Sequence, residues 1–136
     1  MKTVLLVEDD EDTRSIYAAA LEDAGYRVVI ATQGAEGVHL ARRTHPDLIL
    51  LDLRMPVMTG WGTARYLKAD PETRSIPICA VSAYDAQEEG IDDSAAVPFD
   101  SYLRKPVDPR DVLAEVGSWI GPGEKGPPSQ SPLPAE

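Results

Sequence analysis

The sequence predicts one α/β domain in which helices cover both faces of a mostly parallel sheet. Five short apolar segments alternate along the chain with stretches of helical periodicity. The segments are continuous apolar runs, which are typical of strands buried on both faces. Repeated strand–helix alternation with right-handed crossovers gives an α/β sandwich. With 136 residues, the chain is long enough to bury one such core but too short for two ordinary domains.

The predicted strands are short and consist mainly of aliphatic and β-branched residues. They cover 3–7 (TVLLV), 27–31 (RVVIA), 48–51 (LILL), 78–81 (ICAV) and 101–103 (SYL). Cys79, the one cysteine of the chain, lies inside the fourth of these segments. A single cysteine cannot form an internal disulfide or a multi-thiolate metal site, so we expect a buried thiol.

The segments between the strands have helical spacing and helical end signals. The first covers 11–24 and stops at Gly25, a residue type typical of the position after a helix. Asp108 and Pro109 form the N-cap and first-turn proline of a last helix. The predicted apolar faces are Ile16, Tyr17, Ala20, Leu21 and Ala24; Ala35, Val38 and Ala41; Trp61, Ala64 and Leu67; and Val112, Leu113, Val116 and Ile120.

Two regions depart from this regular pattern. Residues 84–98 contain Gly90 and an acidic pair, and Pro98 must end any helix before it, so we expect a short or irregular fourth helix. From Gly121 the chain becomes rich in proline, glycine and serine. We therefore predict a domain over 1–121 and a disordered tail or linker stub over 122–136.

The composition excludes several classes of function. A formal net charge of -10 argues against direct nucleic-acid binding, which needs clustered lysine and arginine. No segment approaches the roughly 20 consecutive apolar residues of a membrane span. The N-terminal MKTVLLVEDD is a poor signal peptide, because acids interrupt its short apolar run. We expect a cytoplasmic protein.

Acidic residues, a hydroxyl and a lysine follow four of the five predicted strands. In chain order these residues are Glu8, Asp9 and Asp10 after the first strand, Asp52 after the third, Ser82 after the fourth and Lys105 after the fifth. The carboxyl ends of parallel strands meet at one edge of a sheet, which is where chemistry gathers in such folds. Clustered carboxylates raise one another's pKa, and a hard divalent cation removes that cost. Oxygen ligands without histidine or cysteine favour Mg²⁺.

This set of residue types is suited to phosphoryl transfer. An aspartate such as Asp52 can act as a nucleophile and form an acyl phosphate. A lysine can neutralise phosphoryl charge, and a serine hydroxyl can hydrogen-bond a phosphoryl oxygen. Each residue alone also has an ordinary explanation as a solvated turn, a helix cap, a strand-end cap or a surface charge. The combination at four strand ends favours a common site. No Walker loop, dinucleotide fingerprint or nucleophile elbow is present, and His39 and His45 share no ligand spacing.

Four motifs resemble those of a known family. VLLVEDDEDTR, LILLDLRMPVMTG, PICAVSA and YLRKPV, in this order and spacing, resemble the receiver domains of two-component response regulators over roughly residues 2–120. The resemblance implies a flavodoxin-like (βα)5 sandwich with a five-stranded parallel sheet of order 2-1-3-4-5. It also implies a signalling protein that catalyses only its own phosphorylation and dephosphorylation, not an enzyme in the usual sense.

The resemblance assigns roles at the phosphorylation site. Asp52 matches the phosphoacceptor, and Mg²⁺ is the implied cofactor. Asp9 matches the direct metal ligand, Glu8 the acid that usually acts through water, and Arg54 the residue whose backbone carbonyl completes the metal contacts. Lys105 matches the lysine of the motif, and the Lys105–Pro106 bond is implied to be cis, which proline permits.

A second group of matches concerns the switch. Ser82 matches the hydroxyl residue that moves toward phosphate, and Tyr102 the aromatic that turns inward with it. The implied donor is a sensor histidine kinase or a histidine phosphotransfer protein. The implied output is a protein effector bound at the face of the fourth helix, the fifth strand and the last helix. Residues 97–102 (VPFDSY) replace the usual Gly-x-Asp-Asp-Tyr sequence, so this face is the least typical part of the chain.

Three functions remain open from the sequence. The leading one is a stand-alone, phosphorylation-controlled receiver, which passes its signal by protein binding or by phosphorelay. A second is a pseudo-receiver that docks partners without phosphorylation. A third is a Mg²⁺-dependent aspartyl phosphohydrolase, although the chain offers no cap segment for a substrate and that reading leaves Asp52 unexplained.

Overall fold

The computed structural model describes residues 1–55, 57–85, 88–89 and 97–124. Its strands are β1 (Thr3–Val7), β2 (Arg27–Ala31), β3 (Leu48–Asp52), β4 (Ile78–Ser82) and β5 (Ser101–Arg104). Its helices are α1 (Glu11–Asp23), α2 (Gly34–Thr44), α3 (Gly60–Ala69) and α4 (Pro109–Ile120). The predicted irregular helix falls largely on residues 86–87 and 90–96, which lie outside the described residues.

The five strands form one parallel sheet in the order β2-β1-β3-β4-β5, which confirms the predicted fold. β3 and β4 lie inside the sheet and are buried along their whole length. The edge strands β2 and β5 are partly exposed, as their less uniformly apolar sequences require. β3 and β4 each run one residue beyond the predicted apolar segment, so Asp52 and Ser82 are the last residues of their strands.

Side chains of alternate residues in the central strands pack into two separate hydrophobic cores. Leu48 and Leu50 of β3 pack with side chains of α1 and α4, whereas Ile49 and Leu51 pack with side chains of α2 and α3. This division follows from the two-residue period of a strand. Cys79 is a free thiol in the first core, as predicted, and burial raises its pKa to about 12. The two helical layers therefore cover the sheet on both sides.

Two predicted packing positions are wrong. Ile16 is 53% exposed because α1 meets the core through Tyr17, Ala18 and Leu21, and consecutive helical residues point about 100° apart. Ala35 is exposed because α2 packs through Gly34, Gly37 and Ala41 instead. Trp119, which is outside the predicted face of α4, is 44% exposed, and its indole donates a hydrogen bond to Glu115 within the same helix.

The described residues beyond α4 lie against the start of the chain. The Tyr26 hydroxyl donates to the Gly121 carbonyl at 2.6 Å, and the Glu124 carboxylate lies 3.2 Å from the N-terminal amine of Met1. Residues 125–136, most of the predicted tail, lie outside the described residues. Among the helices that the structure describes, none combines the length and apolarity needed to cross a membrane.

Candidate functional site

The ends of β1, β3, β4 and β5 bring the predicted site residues to one edge of the sheet. The backbone there continues the strand ladder past the strands themselves. The Leu53 amide donates to the Val81 carbonyl at 2.9 Å, and the Lys105 amide donates to the Ser82 carbonyl at 2.6 Å. The Glu8 amide likewise donates to Ala31 at 3.0 Å. These bonds fix the positions from which the site side chains project.

An acidic cluster forms where β1 and β3 end. Carboxylate oxygens of Glu8, Asp9 and Asp52 lie within 4.8 Å of one another. Glu8 and Asp52 are buried, whereas Asp9 is exposed. Lys105 completes the cluster, with its Nζ 2.9 Å from Glu8 Oε1 and 3.5 Å from Asp52 Oδ2. The structure thus brings together four residues that are separated by up to about a hundred positions in sequence.

The cluster shifts the pKa values of its members. Burial and the nearby charge of Glu8 raise the pKa of Asp52 to about 7, and Lys105 only partly opposes them. Burial works to lower the pKa of Lys105, but the two carboxylates outweigh it and raise that pKa. Ionisation of Asp52 is therefore less favourable here than in water, and a bound cation would stabilise the ionised carboxylate.

Asp10 has a different role from its two acidic neighbours. Its side chain caps α1 by accepting hydrogen bonds from the Thr13 amide at 2.9 Å and the Thr13 hydroxyl at 2.7 Å. These bonds hold the pKa of Asp10 below its usual value. The Arg14 guanidinium donates to the carbonyls of Glu8 and Asp9, which orders the loop between β1 and α1. The helix-cap interpretation of the acidic triplet thus applies to Asp10 alone.

Arg54 connects the acidic cluster to the β4 side of the site. Its amide donates to Asp52 Oδ1 at 3.1 Å, and its guanidinium carbon lies 4.3 Å from the centre of the Tyr84 ring. Its Nε donates to Glu89 Oε2 at 3.0 Å. The metal-binding role of the Arg54 carbonyl stays a prediction.

Ser82 and Tyr102 lie beside Tyr84. The fully buried Ser82 hydroxyl donates to the Glu89 carboxylate and accepts a hydrogen bond from the Tyr84 amide at 3.1 Å. The half-buried Tyr102 donates its hydroxyl proton to the Tyr84 carbonyl, and its ring centre is 6.2 Å from that of Phe99. The implied cis bond at Lys105–Pro106 is confirmed. The switch roles of Ser82 and Tyr102 stay predictions.

Glu89 is a site residue that the sequence did not reveal. Its side chain is only 1% exposed and accepts from Ser82, from Arg54 and, at 2.9 Å, from the Trp61 indole. Burial works to raise the pKa of Glu89, but these hydrogen bonds outweigh it and lower that pKa, so the group is a carboxylate. In sequence it is one of two adjacent glutamates in an irregular segment, and nothing local distinguishes it from the exposed Glu88.

The raised pKa of Asp52 predicts a pH-dependent stability. The folded protein holds the Asp52 proton more tightly than the unfolded chain, in which the pKa is near 3.8. Stability is therefore lost as the pH rises from about 4 to about 7, and Asp52→Asn removes this loss. We expect the variant to gain up to about 4 kcal/mol over the natural protein at pH 8, and little at pH 4.

Urea unfolding across that pH range, with a chelator present, measures the difference. Asp23→Asn, which changes an exposed aspartate at the end of α1, is the matched control and should show no such trend. A gap between Asp52→Asn and the natural protein that does not grow with pH would contradict the burial argument.

Fold and site together define a class of protein, the doubly wound α/β domains with an acidic cluster at the carboxyl edge of the sheet. Residues 4–117 match the response regulator receiver domain family, and the chain belongs to this family. Receiver domains act in two-component signalling, generally bind Mg²⁺ at an acidic site, and are signalling proteins instead of classical enzymes.

Particular relatives agree with this assignment. The chain is 34% identical over 122 residues to the polar-differentiation response regulator DivK of Brucella ovis. The aligned region covers 88% of this chain and 97% of the relative. The structure of this chain is similar to that of the Vibrio cholerae chemotaxis protein CheY4, with a TM-score of 0.80 and 29% identity. The match covers 88% of this chain and 98% of the CheY4 chain.

A third similarity concerns a structure with a bound metal. The receiver domain of a sensor histidine kinase from Pseudomonas aeruginosa has a TM-score of 0.79 and 32% identity, over 88% of this chain and 97% of that domain. That structure has a magnesium ion coordinated in its active-site cleft.

Proposed function

We propose that this protein is a Mg²⁺-dependent phosphoacceptor whose Asp52 takes a phosphoryl group from a histidine donor. The observation that carries the proposal is the position of Asp52. It is a buried carboxylate at the end of a central strand, within 4.8 Å of two further acids and 3.5 Å from the Lys105 ammonium. This arrangement combines a nucleophile, a cation-binding group and a positive charge at one point.

The donor set fits Mg²⁺. Its three carboxylates offer hard oxygen ligands and no nitrogen or sulfur, which suits Mg²⁺ better than zinc. Glu8, Asp9 and Asp52 would hold the ion together with the Arg54 carbonyl. When bound, Mg²⁺ supplies neutralisation of the clustered negative charge and of the transferring phosphoryl group.

The chain's own residues supply the remaining steps. A carboxylate oxygen of Asp52 attacks phosphorus, and the bond from phosphorus to the donor's imidazole nitrogen breaks, with its electron pair staying on nitrogen. Lys105 Nζ then pairs with a phosphoryl oxygen in place of part of its contact with Asp52. The Ser82 hydroxyl is at the end of β4, the strand next to the one that ends at Asp52. It can donate to a second phosphoryl oxygen once it no longer donates to Glu89.

The proposed partners follow from this chemistry. The phosphoryl donor would be a sensor histidine kinase or a histidine phosphotransfer protein in the cytoplasm. The output would be a protein effector that binds near β5 and α4, because Tyr102 on β5 is linked through Tyr84 to the Ser82 loop. The switch is then a shift between two populations, biased by the new phosphoryl contacts.

Phosphorylation by a small donor tests the proposal directly. The protein is incubated with acetyl phosphate or phosphoramidate and Mg²⁺, and its intact mass is measured. We expect one added phosphoryl group on the natural protein, none on Asp52→Asn and one on the exposed control Asp23→Asn. Omission of Mg²⁺ should reduce labelling by at least about tenfold, because charge on the transferring group is then left unscreened.

Two outcomes would contradict parts of the proposal. Absence of labelling on the natural protein, under conditions that label a known receiver, would leave a docking module that phosphorylation does not control. Equal labelling of Asp52→Asn would keep the chemistry but move the nucleophile elsewhere. Asp9 would then be the first candidate, as an aspartyl phosphohydrolase would require.

A further inference from the structure

We infer that Glu89 is an internal competitor of the phosphoryl group at this site. Its carboxylate accepts hydrogen bonds from the Ser82 hydroxyl and the Arg54 guanidinium, and releases both donors when Asp52 carries a phosphoryl group. The inference rests on the proposed function and deepens it, because it names the residue that sets how readily the site accepts phosphate.

The Ser82 hydroxyl cannot serve two acceptors. A hydroxyl has one proton to donate, and that of Ser82 goes to Glu89 Oε2. The Ser82 oxygen already accepts from the Tyr84 amide at 3.1 Å, and the side chain is fully buried. A phosphoryl oxygen on Asp52 therefore gains the Ser82 proton only if Glu89 gives it up.

Glu89 accepts three hydrogen bonds from described side chains. Its Oε1 accepts from Trp61 Nε1 at 2.9 Å, and its Oε2 accepts from both Ser82 and Arg54 Nε. Hydrogen bonds to an ionised acceptor are about twice as strong as neutral ones, and a buried carboxylate without them is costly. The arrangement shown is thus a stable state of the unphosphorylated site, and leaving it has an energetic cost.

Two short connections link Glu89 to Asp52. Arg54 donates its amide to Asp52 Oδ1 at 3.1 Å and its side chain to Glu89 at 3.0 Å. Ser82 directly follows Val81, the residue paired with Asp52 across β3 and β4. A phosphoryl group on Asp52 would place new negative charge beside the donors that Glu89 occupies, and like charges in one site repel.

Release of Glu89 also changes an aromatic cluster. Trp61 loses the acceptor of its indole proton, and its ring meets Phe99 edge-on at a centroid distance of 5.0 Å. Phe99 in turn lies next to Tyr102 on β5. Displacement of one carboxylate therefore reaches the surface that the proposed output uses.

Binding of beryllofluoride, a phosphoryl mimic, provides the test on the full chain. With Mg²⁺ present, fluorine NMR measures its affinity for the natural protein, Glu89→Ala, the matched control Glu88→Ala and Asp52→Asn. The apparent affinity for beryllofluoride is proportional to the fraction of molecules in which the Ser82 proton is not held by Glu89. We therefore expect Glu89→Ala to bind about tenfold more tightly, Glu88→Ala to stay within about twofold of the natural protein, and Asp52→Asn not to bind.

The outcomes separate this inference from the proposed function. Binding by the natural protein with equal or weaker binding by Glu89→Ala would overturn the competition but leave the phosphoacceptor intact. Binding by Glu89→Ala alone would support the competition in its strongest form. Failure of both to bind beryllofluoride would overturn the phosphoacceptor and the competition together.

A second measurement needs no change at Glu89. The Trp61 indole N–H signal of the natural protein, assigned by its loss in Trp61→Phe, should shift when Mg²⁺ and beryllofluoride are added, and shift far less with Mg²⁺ alone. The Trp119 indole, which donates to Glu115 at 2.9 Å on α4, is an internal reference and should not move. An unmoved Trp61 signal at saturating beryllofluoride would refute release of Glu89.

Discussion

Replacement of Lys105 by methionine is expected to lower the free energy of unfolding by about 3–5 kcal/mol at pH 8 without divalent cations. The Lys105 ammonium lies between the buried carboxylates of Glu8 and Asp52, 2.9 Å and 3.5 Å from their oxygens. Methionine keeps most of the side-chain volume and removes the charge. Two buried carboxylates are then left facing each other without a cation, which is far more costly than loss of a surface ion pair.

The same variant should also lose most of its labelling by acetyl phosphate, because the positive charge near the transferring group is gone. Chemical denaturation at pH 8 with a chelator measures the stability. Arg104→Met removes an exposed cation one residue earlier, at the end of β5, and should change stability by no more than about 0.5 kcal/mol.

A double-mutant cycle identifies the cause of the loss. In an Asp52→Asn background one of the two carboxylates is neutral, so the loss on Lys105→Met should shrink by at least about 1 kcal/mol. An undiminished loss would mean that the Lys105 side chain stabilises the fold by packing and not by its charge.

Replacement of Gly60 by alanine is the second large expected effect. An added Cβ would lie 2.2 Å from the Asp52 carbonyl oxygen and 2.5 Å from the Leu53 Cα. Both are backbone atoms at the end of β3, so no side-chain rotation relieves the clash. We expect a loss of stability of about 3 kcal/mol. Because the clash displaces the backbone of Asp52 and so its carboxylate, phosphorylation should slow by on the order of a hundredfold.

Gly62→Ala is the matched control, two residues further along α3. The nearest atom to its added Cβ is the Thr59 hydroxyl at 3.6 Å, an ordinary contact. Alanine in a helix costs less conformational entropy than glycine, so this variant should be more stable by about 0.5–1 kcal/mol. Thermal unfolding of both variants, with the rate of labelling by phosphoramidate, gives the comparison. Equal stability of the two variants would show that the start of α3 shifts away from β3 at little cost.

The fold was predictable because its signals are local. Continuous apolar runs such as LILL and ICAV match strands buried on both faces, and the first residues of β3 and β4 fall where those runs begin. End signals also held, since Asp108 caps α4 and Gly25, with a φ of 98°, follows α1. Helix faces were less predictable. Ile16 and Ala35 satisfy the helical period, yet the turn of each helix about its axis is set by what it packs against.

Local signals along the chain were enough to predict which residues lie at the carboxyl edge of the sheet. Strand ends are encoded locally, so Glu8, Asp9, Asp52, Ser82 and Lys105 could all be placed there in advance. Which of these side chains make contact depends on how the strands and helices pack together. Asp10 turned back to cap α1, whereas Lys105 reached across to the two buried acids.

Glu89 shows most clearly what the sequence could not supply. Its irregular segment offers no period, cap or strand end from which to infer a contact. Its partners come from the β3–α3 connection, α3 and β4. The donors to this buried carboxylate come from elements that are distant in sequence. They lie near one another only after the sheet and helices have packed.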